Sequence, residues 1–403
     1  MALRFAPPPV NLSPELEWVL LRAYGPTGRR LGKPFAPDRA TELARQFELG
    51  ARIAARTTET DLRRELGAAG ARTLAFDLLA ATGRDRALMS AARKIAVLAA
   101  GQGIPTIWLK FAALRWLDLV VEGSRGATDI DILVRQRDAQ HLHAALVRHG
   151  YTASDLPHSD HHLALLQAGR DVAVEIHDRI PGVRATPQGP SLTADELIAA
   201  GAAIPSSGAP GAAYVPTREF LVVHAMVHGY VQHGAAPRSY PLSRMFADLL
   251  DLGAGEQAWD LRGRARQWLR HAMADDEIAA VLDLAQALQR GADLRALSPG
   301  TAAGATLSHL VAGTLDRSYE ESLKLMFTFR PVTDRRRVGA VVYSLRRALL
   351  PNDAQLDLLY GPATTGRARA VRRVVRPLDL GWRLGKYAWS YLRTRLAARR
   401  LRR

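Results

Sequence analysis

Apolar residues recur at spacings of three and four from Ser13 to Gly101, most clearly in Glu15–Tyr24, Ala40–Ala54 and Arg86–Ala100. This period predicts a helical N-terminal layer. The period changes at Ile104, where Ile104–Leu109 is a short apolar run suited to a buried strand. Phe111–Val121 then reads as a helix, and Asp129–Val134 alternates acid and aliphatic as a strand does. Asp138–His149 is an amphipathic helix ended by Gly150. His162–Gln167 and Asp171–His177 are strand-like runs joined by Ala168-Gly169-Arg170, a hairpin signal. The order β-α-β-α-β-β describes a small mixed sheet with helices on it. Residues 181–215, rich in Pro, Gly, Ala and Ser, read as a linker. Helical periodicity returns at Thr217–Tyr230, Leu242–Leu252, Trp259–Leu269 and Asp276–Gln289 and persists to about Leu350.

The expected fold is therefore α+β, with helical regions on both sides of a mixed-sheet core. The expected divisions are a helical layer over 1–102, a core over 103–180, the linker 181–215, a helical unit over 216–350 and a tail over 351–403. The 403 residues suffice for two or three packed units, and 48% hydrophobic against 23% charged residues suits a folded chain. Cysteine is absent, which excludes disulfides and thiolate metal sites. No leading basic-then-apolar pattern precedes Pro7-Pro8-Pro9, so secretion is not expected. No apolar run approaches the ~20 residues of a spanning helix. The expectation is a cytoplasmic protein, soluble or peripheral at the inner membrane face.

Charge is unevenly placed. Residues 362–403 hold thirteen Lys and Arg against the single acid Asp379, a net +12 of the chain's +16, leaving +4 for the 361 residues before them. Leu378, Trp382, Trp389, Leu392 and Leu396 recur there at helical spacing among basic residues, a pattern suited to an anionic membrane surface, with polynucleotide as the second candidate. A docked last helix with solvated arginines is the plain alternative.

Candidate chemistry lies in the middle. Asp129-Ile130-Asp131 puts two carboxylates on one strand face, and Glu175 and His177 lie on the face opposite Val174 and Ile176. Acids held this close repel one another, and a bound divalent cation is a common reason to keep them ionised. A third carboxylate from a neighbouring strand can orient or deprotonate an acceptor hydroxyl. Lys110 and Arg125 can neutralise phosphate charge, one as a point charge and one as a planar fork, with Ser124 beside Arg125. His224 and His228 share a helix face but lack an evident third zinc ligand, so packing or a polar cleft lining is the expectation. Arg244 and Asp248, four apart, read as a helix-surface ion pair or as groups facing the cleft.

The chain resembles a bacterial family of uncharacterised nucleotidyltransferases within the polymerase-beta-like superfamily. The resemblance rests on Trp108-Leu109-Lys110, on Arg125 through Val134, on Gly150-Tyr151 and on Val174-Glu175-Ile176-His177. It extends to Pro14–Trp18 and to the segment bearing His224, His228, Arg244 and Asp248. It implies Asp129, Asp131 and Glu175 as metal ligands and catalytic carboxylates for Mg²⁺ or Mn²⁺. It implies Lys110, Ser124, Arg125, His177, Arg244 and Asp248 on the side of a nucleoside triphosphate substrate. The implied reaction moves a nucleoside monophosphate to a small molecule, glycan or peptide. One departure stands out: Phe111 occupies the position after the lysine where the family commonly has Gly, and a ring there is expected to obstruct phosphate. The alternatives are accordingly a catalytically impaired binding or scaffold protein, and a transferase acting on RNA.

Overall fold

Ser13 opens the first helix, α1 (Pro14–Tyr24): its side chain accepts from the Leu16 amide, and Pro14 stands where no intrahelical donor is needed. The structure is a computed structural model. It describes residues 12–28, 34–154, 162–169, 172–186, 189–232, 242–253, 264–297 and 301–315, together with 356, 365–368, 370–378, 381, 382, 385 and 389. Helices α2 (Pro37–Gln46), α3 (Gly50–Arg56) and α4 (Glu59–Gly101) complete the N-terminal layer. Thr58 caps α4, and Gly67, with φ +71°, breaks its helical path. Leu62, Leu74, Leu88 and Ile95 of α4 are buried in the core.

Strand β1 (Thr106–Trp108) leads into α5 (Lys110–Trp116), which stops short of the expected Val121 because Asp118 turns the chain left-handed at φ +53°. Strand β2 (Asp129–Leu133), helix α6 (Gln136–Arg148) and strand β3 (Thr152–Ala153) follow. Strands β4 (Leu166–Ala168) and β5 (Val172–His177) pair antiparallel, as the hairpin signal predicts.

The segment 181–215 is not a linker. It contains most of β6 (Arg179–Arg184), and then β7 (Ser191–Thr193), α7 (Ala194–Ala199), β8 (Ala203–Pro205) and much of β9 (Ala213–Pro216). Strand β9 runs parallel to β1, and the seven-stranded sheet has the order β3-β4-β5-β2-β1-β9-β8. Strands of three or four residues show no period, and β9 takes its place in the sheet from β1, distant in the chain.

Helix α8 (Arg218–Met226) passes into a π-helical turn at Val227–Gln232, followed by α9 (Leu242–Asp251), α10 (Arg264–Ala272), α11 (Asp275–Arg290) and α12 (Ala302–Leu315). The helical periodicity expected between Leu315 and Leu350, and the Trp259 start of a helix, lie outside the described residues. The terminal helices meet each other directly. Tyr24 donates to the Ser243 carbonyl at 2.8 Å, and Arg52 donates to both Asp251 oxygens at 2.8 Å and to the Ala23 carbonyl at 2.8 Å. These bonds fix α9 against the N-terminal layer, so the sheet is flanked by helices locked to one another.

Candidate functional site

Strands β2 and β5 are parallel neighbours at the sheet's centre, with Asp131 opposite Glu175, Leu133 opposite His177 and Asp129 opposite Ala173. Side-chain alternation therefore sends Asp129, Asp131, Glu175 and His177 to one face, while Ile130, Ile132, Val174 and Ile176 enter the core. Donor atoms of Asp131, Glu175 and His177 lie within 4.8 Å of one another. His177 Nε2 stands 3.0 Å from Asp131 Oδ1 and 3.4 Å from Glu175 Oε2. Lys110 enters from the start of α5, and its Nζ donates to Asp131 Oδ1 at 2.7 Å. Its backbone is left-handed, φ +46°, an uncommon conformation for a residue with a Cβ.

The electrostatics follow from this crowding. Burial raises the Asp129 carboxyl above its ordinary range, and the negative charges of Asp131 and Glu175 add to that, against the charge of Lys110. For Asp131, burial is outweighed by the Lys110 charge and the His177 hydrogen bond, so its carboxyl is held well below the usual range. Burial is likewise outweighed at Glu175, chiefly by the His177 hydrogen bond, bringing it down to about 2. His177 is raised to about 9: burial disfavours its charged form, but bonds to Asp131 and Glu175 prevail. Lys110 is raised too, its burial outweighed by Asp131, Asp129 and Glu175. Three carboxylates thus share two cations, and Asp129 is the one whose ionisation is opposed.

That donor set fits a divalent cation. Carboxylate oxygens suit Mg²⁺ or Mn²⁺, and an imidazole among them tilts the chemistry toward a transition ion. Ligation by His177 requires its neutral form, so binding at this cluster releases a proton.

The other expected residues are placed differently. Arg125 is buried with a fork to Asp248, Nε to Oδ1 at 2.5 Å and Nη2 to Oδ2 at 2.8 Å, and its guanidinium lies 6.0 Å from the Phe111 ring centroid. Asp248 is itself buried. Arg244 reaches Glu48 at 2.7 Å, and its charge is felt at Asp129. Ser124 donates to the Val121 carbonyl at 2.8 Å. The neighbouring Gly123 amide donates to Asp85 at 2.8 Å, and a Cβ there would meet Thr82 Oγ1 at 2.3 Å. Gly123-Ser124 is thus held against α4. Phe111 lies in the core, 2% exposed.

A small pocket opens beside Lys110, lined also by Leu114, Leu221, His224, His228 and Asp248. Burial, aided by the Lys110 charge, pushes His224 down to about 3 and keeps it neutral. The His224 and His228 rings meet edge to face at 5.8 Å. Alternation sets His177 on the face of Glu175, but its approach to Asp131 and the cross-fold pairing of Arg125 have no local sequence signal, since both depend on which strands and helices become neighbours.

The mixed sheet with its acidic central face defines an α+β protein in which Asp131, Glu175 and His177 could hold a metal ion. The family model described as uncharacterised nucleotidyltransferase matches residues 33–258, more than half of the 403-residue chain, and the chain belongs to that family. Membership supports a nucleotidyltransferase role in general and a nucleotide substrate. No curated protein and no solved structure matches the chain.

Proposed function

We propose that this protein is a metal-dependent nucleotidyltransferase that moves a nucleoside monophosphate from a nucleoside triphosphate to a hydroxyl or phosphate of a small molecule, glycan or peptide. The observation that carries the reading is the convergence of Asp131, Glu175 and His177, with donor atoms within 4.8 Å, on the face that also bears Asp129 and Lys110. Asp129, Asp131 and Glu175, with His177, would hold Mg²⁺ or Mn²⁺. The bound ion supplies charge neutralisation for the triphosphate and the departing pyrophosphate.

The residues provide the rest. Lys110 brings a second positive charge to the phosphates, and Arg244 adds one from the helical side. Glu175, ionised at neutral pH, is placed to accept the acceptor's proton. The acceptor oxygen bonds to the α-phosphorus, the bond from that phosphorus to the bridging oxygen breaks, and pyrophosphate leaves. Positioning and charge suffice for such a displacement. The burial of the Phe111 ring in the core supports turnover over a non-catalytic binding role. Pyrophosphate release from each nucleoside triphosphate, with Mg²⁺ or Mn²⁺ and a panel of hydroxyl acceptors, tests the reading. Release that depends on both metal and acceptor supports it; nucleotide binding without release across the panel favours the binding-protein alternative.

A further inference from the structure

Outside the candidate site, the molecule's most unusual feature is a helix that faces the wrong way for a docked one. Residues 366–368 and 370–378 are helical, and Gly381, Trp382, Gly385 and Trp389 are helical as well. Val371, Val374, Val375 and Leu378 follow at steps of three, one and three, which at 3.6 residues per turn confines them to an arc of roughly 100°, and Trp382 and Trp389 come four and eleven residues after Leu378. All six are exposed, from 44% at Val375 to 77% at Trp382. Arg376, on the other side of the same helix, is only 8% exposed. A helix docked on the body would bury its valines and turn the arginine out. Here the order is inverted, so the apolar stripe is left for something outside the described fold.

The surrounding charge says what that is. The segment 362–403 carries thirteen basic residues against one acid. An aliphatic stripe followed by two tryptophans, set in strong positive charge, is complementary to acidic headgroups over an acyl boundary. Polynucleotide would match the charge, yet it offers nothing to Val371, Val374, Val375 and Leu378. No helix among the described residues is long and apolar enough to cross a membrane, so the helix would lie along the surface. We propose that the helix bearing Val371, Val374, Val375 and Leu378, together with Trp382 and Trp389, is a peripheral anchor for an anionic lipid bilayer, its apolar side chains inserting while basic residues of the segment meet acidic headgroups. The anchor would bring the candidate site to reactions on lipid-associated acceptors.

Co-sedimentation of the full-length protein with phosphatidylcholine vesicles, and with vesicles that also contain phosphatidylglycerol, tests this. Binding should require the anionic lipid and weaken at about 0.15 M salt, where screening acts within roughly 8 Å. The double variant Trp382→Ala, Trp389→Ala should lower partitioning at low salt by about tenfold or more while keeping the wild-type melting temperature, because both rings are exposed and insert into lipid. Failure to bind anionic vesicles overturns the proposal, as does a double variant that binds equally well. Binding to single-stranded RNA with vesicles left in solution assigns the segment to polynucleotide instead.

Discussion

Lys110 holds Asp131 at 2.7 Å from a backbone with φ +46°, so a conformation unfavourable to lysine is maintained to place its ammonium among three carboxylates. The lysine and a divalent cation seek the same negative charge. Lys110→Met should therefore raise Mn²⁺ affinity by about tenfold, since removing a neighbouring positive charge favours a cation. Turnover should fall, because the lysine no longer meets phosphate. Titration of Mn²⁺ by electron paramagnetic resonance measures the first effect. A lower affinity in the variant would mean that the lysine shapes the metal site and does not compete with it.

Arg125 and Asp248 form a buried, two-bond pair between the loop before β2 and helix α9. Removing one member strands the other without its charge partner. Arg125→Met or Asp248→Asn should each cost about 3–5 kcal/mol of stability, and the double variant less than the two together. Urea unfolding of the three variants decides it. Additive losses would show that the two residues act separately.

Phe111 is core, with the Arg125 guanidinium over its ring. Phe111→Gly should destabilise the protein by about 3–5 kcal/mol, and more through the helix cost of glycine, without tightening nucleotide binding. Phe111→Leu should be much milder. Thermal melts together with nucleotide titrations separate a packing role from an obstructing one; tighter nucleotide binding by a folded Phe111→Gly protein would restore the obstruction.

Acid should weaken the fold through His309, which burial pushes from 6.5 to about 4. Its folded form resists protonation more than its unfolded form does. The stability this provides is complete above pH 6.5 and is lost as pH falls from there toward 4. Between pH 7 and pH 5 the loss should be about 2 kcal/mol from this residue, at 1.36 kcal/mol per pKa unit. His224, lowered to about 3, acts in the same direction. Denaturant titrations across that range should show the slope, and His309→Gln should reduce it. An unchanged slope would place the acid sensitivity elsewhere.

The acidic face was legible because strand alternation is a local rule: Asp129 and Asp131 must share a side wherever β2 goes, and so must Glu175 and His177 within β5. That the two pairs converge needed β2 and β5 to be neighbours, which the family resemblance supplied and periodicity did not. The strands within 181–215 escaped notice for a physical reason. Ala203-Ile204-Pro205 and Ala213–Pro216 are too short to show a period, and their Pro content reads as a breaker although both lie toward one edge of the sheet. The fates of Arg125 and Asp248 were equally hidden, since 123 residues separate them and either charge alone looks available to phosphate.

The Asp129, Asp131, Glu175 and His177 face is expected to carry metal-dependent nucleotidyl transfer. Its most direct test follows the transferred label: the protein, each α-phosphate-labelled nucleoside triphosphate, Mg²⁺ or Mn²⁺ and a cell extract as acceptor source, with mass spectrometry of the products. Asp129→Asn is the informative control, because ionisation of that carboxylate is opposed in the metal-free fold and its removal should leave the protein folded. The wild type should yield a nucleotidylated product that requires metal and vanishes with Asp129→Asn and Asp131→Asn. Equal labelling by the wild type and both variants would contradict it.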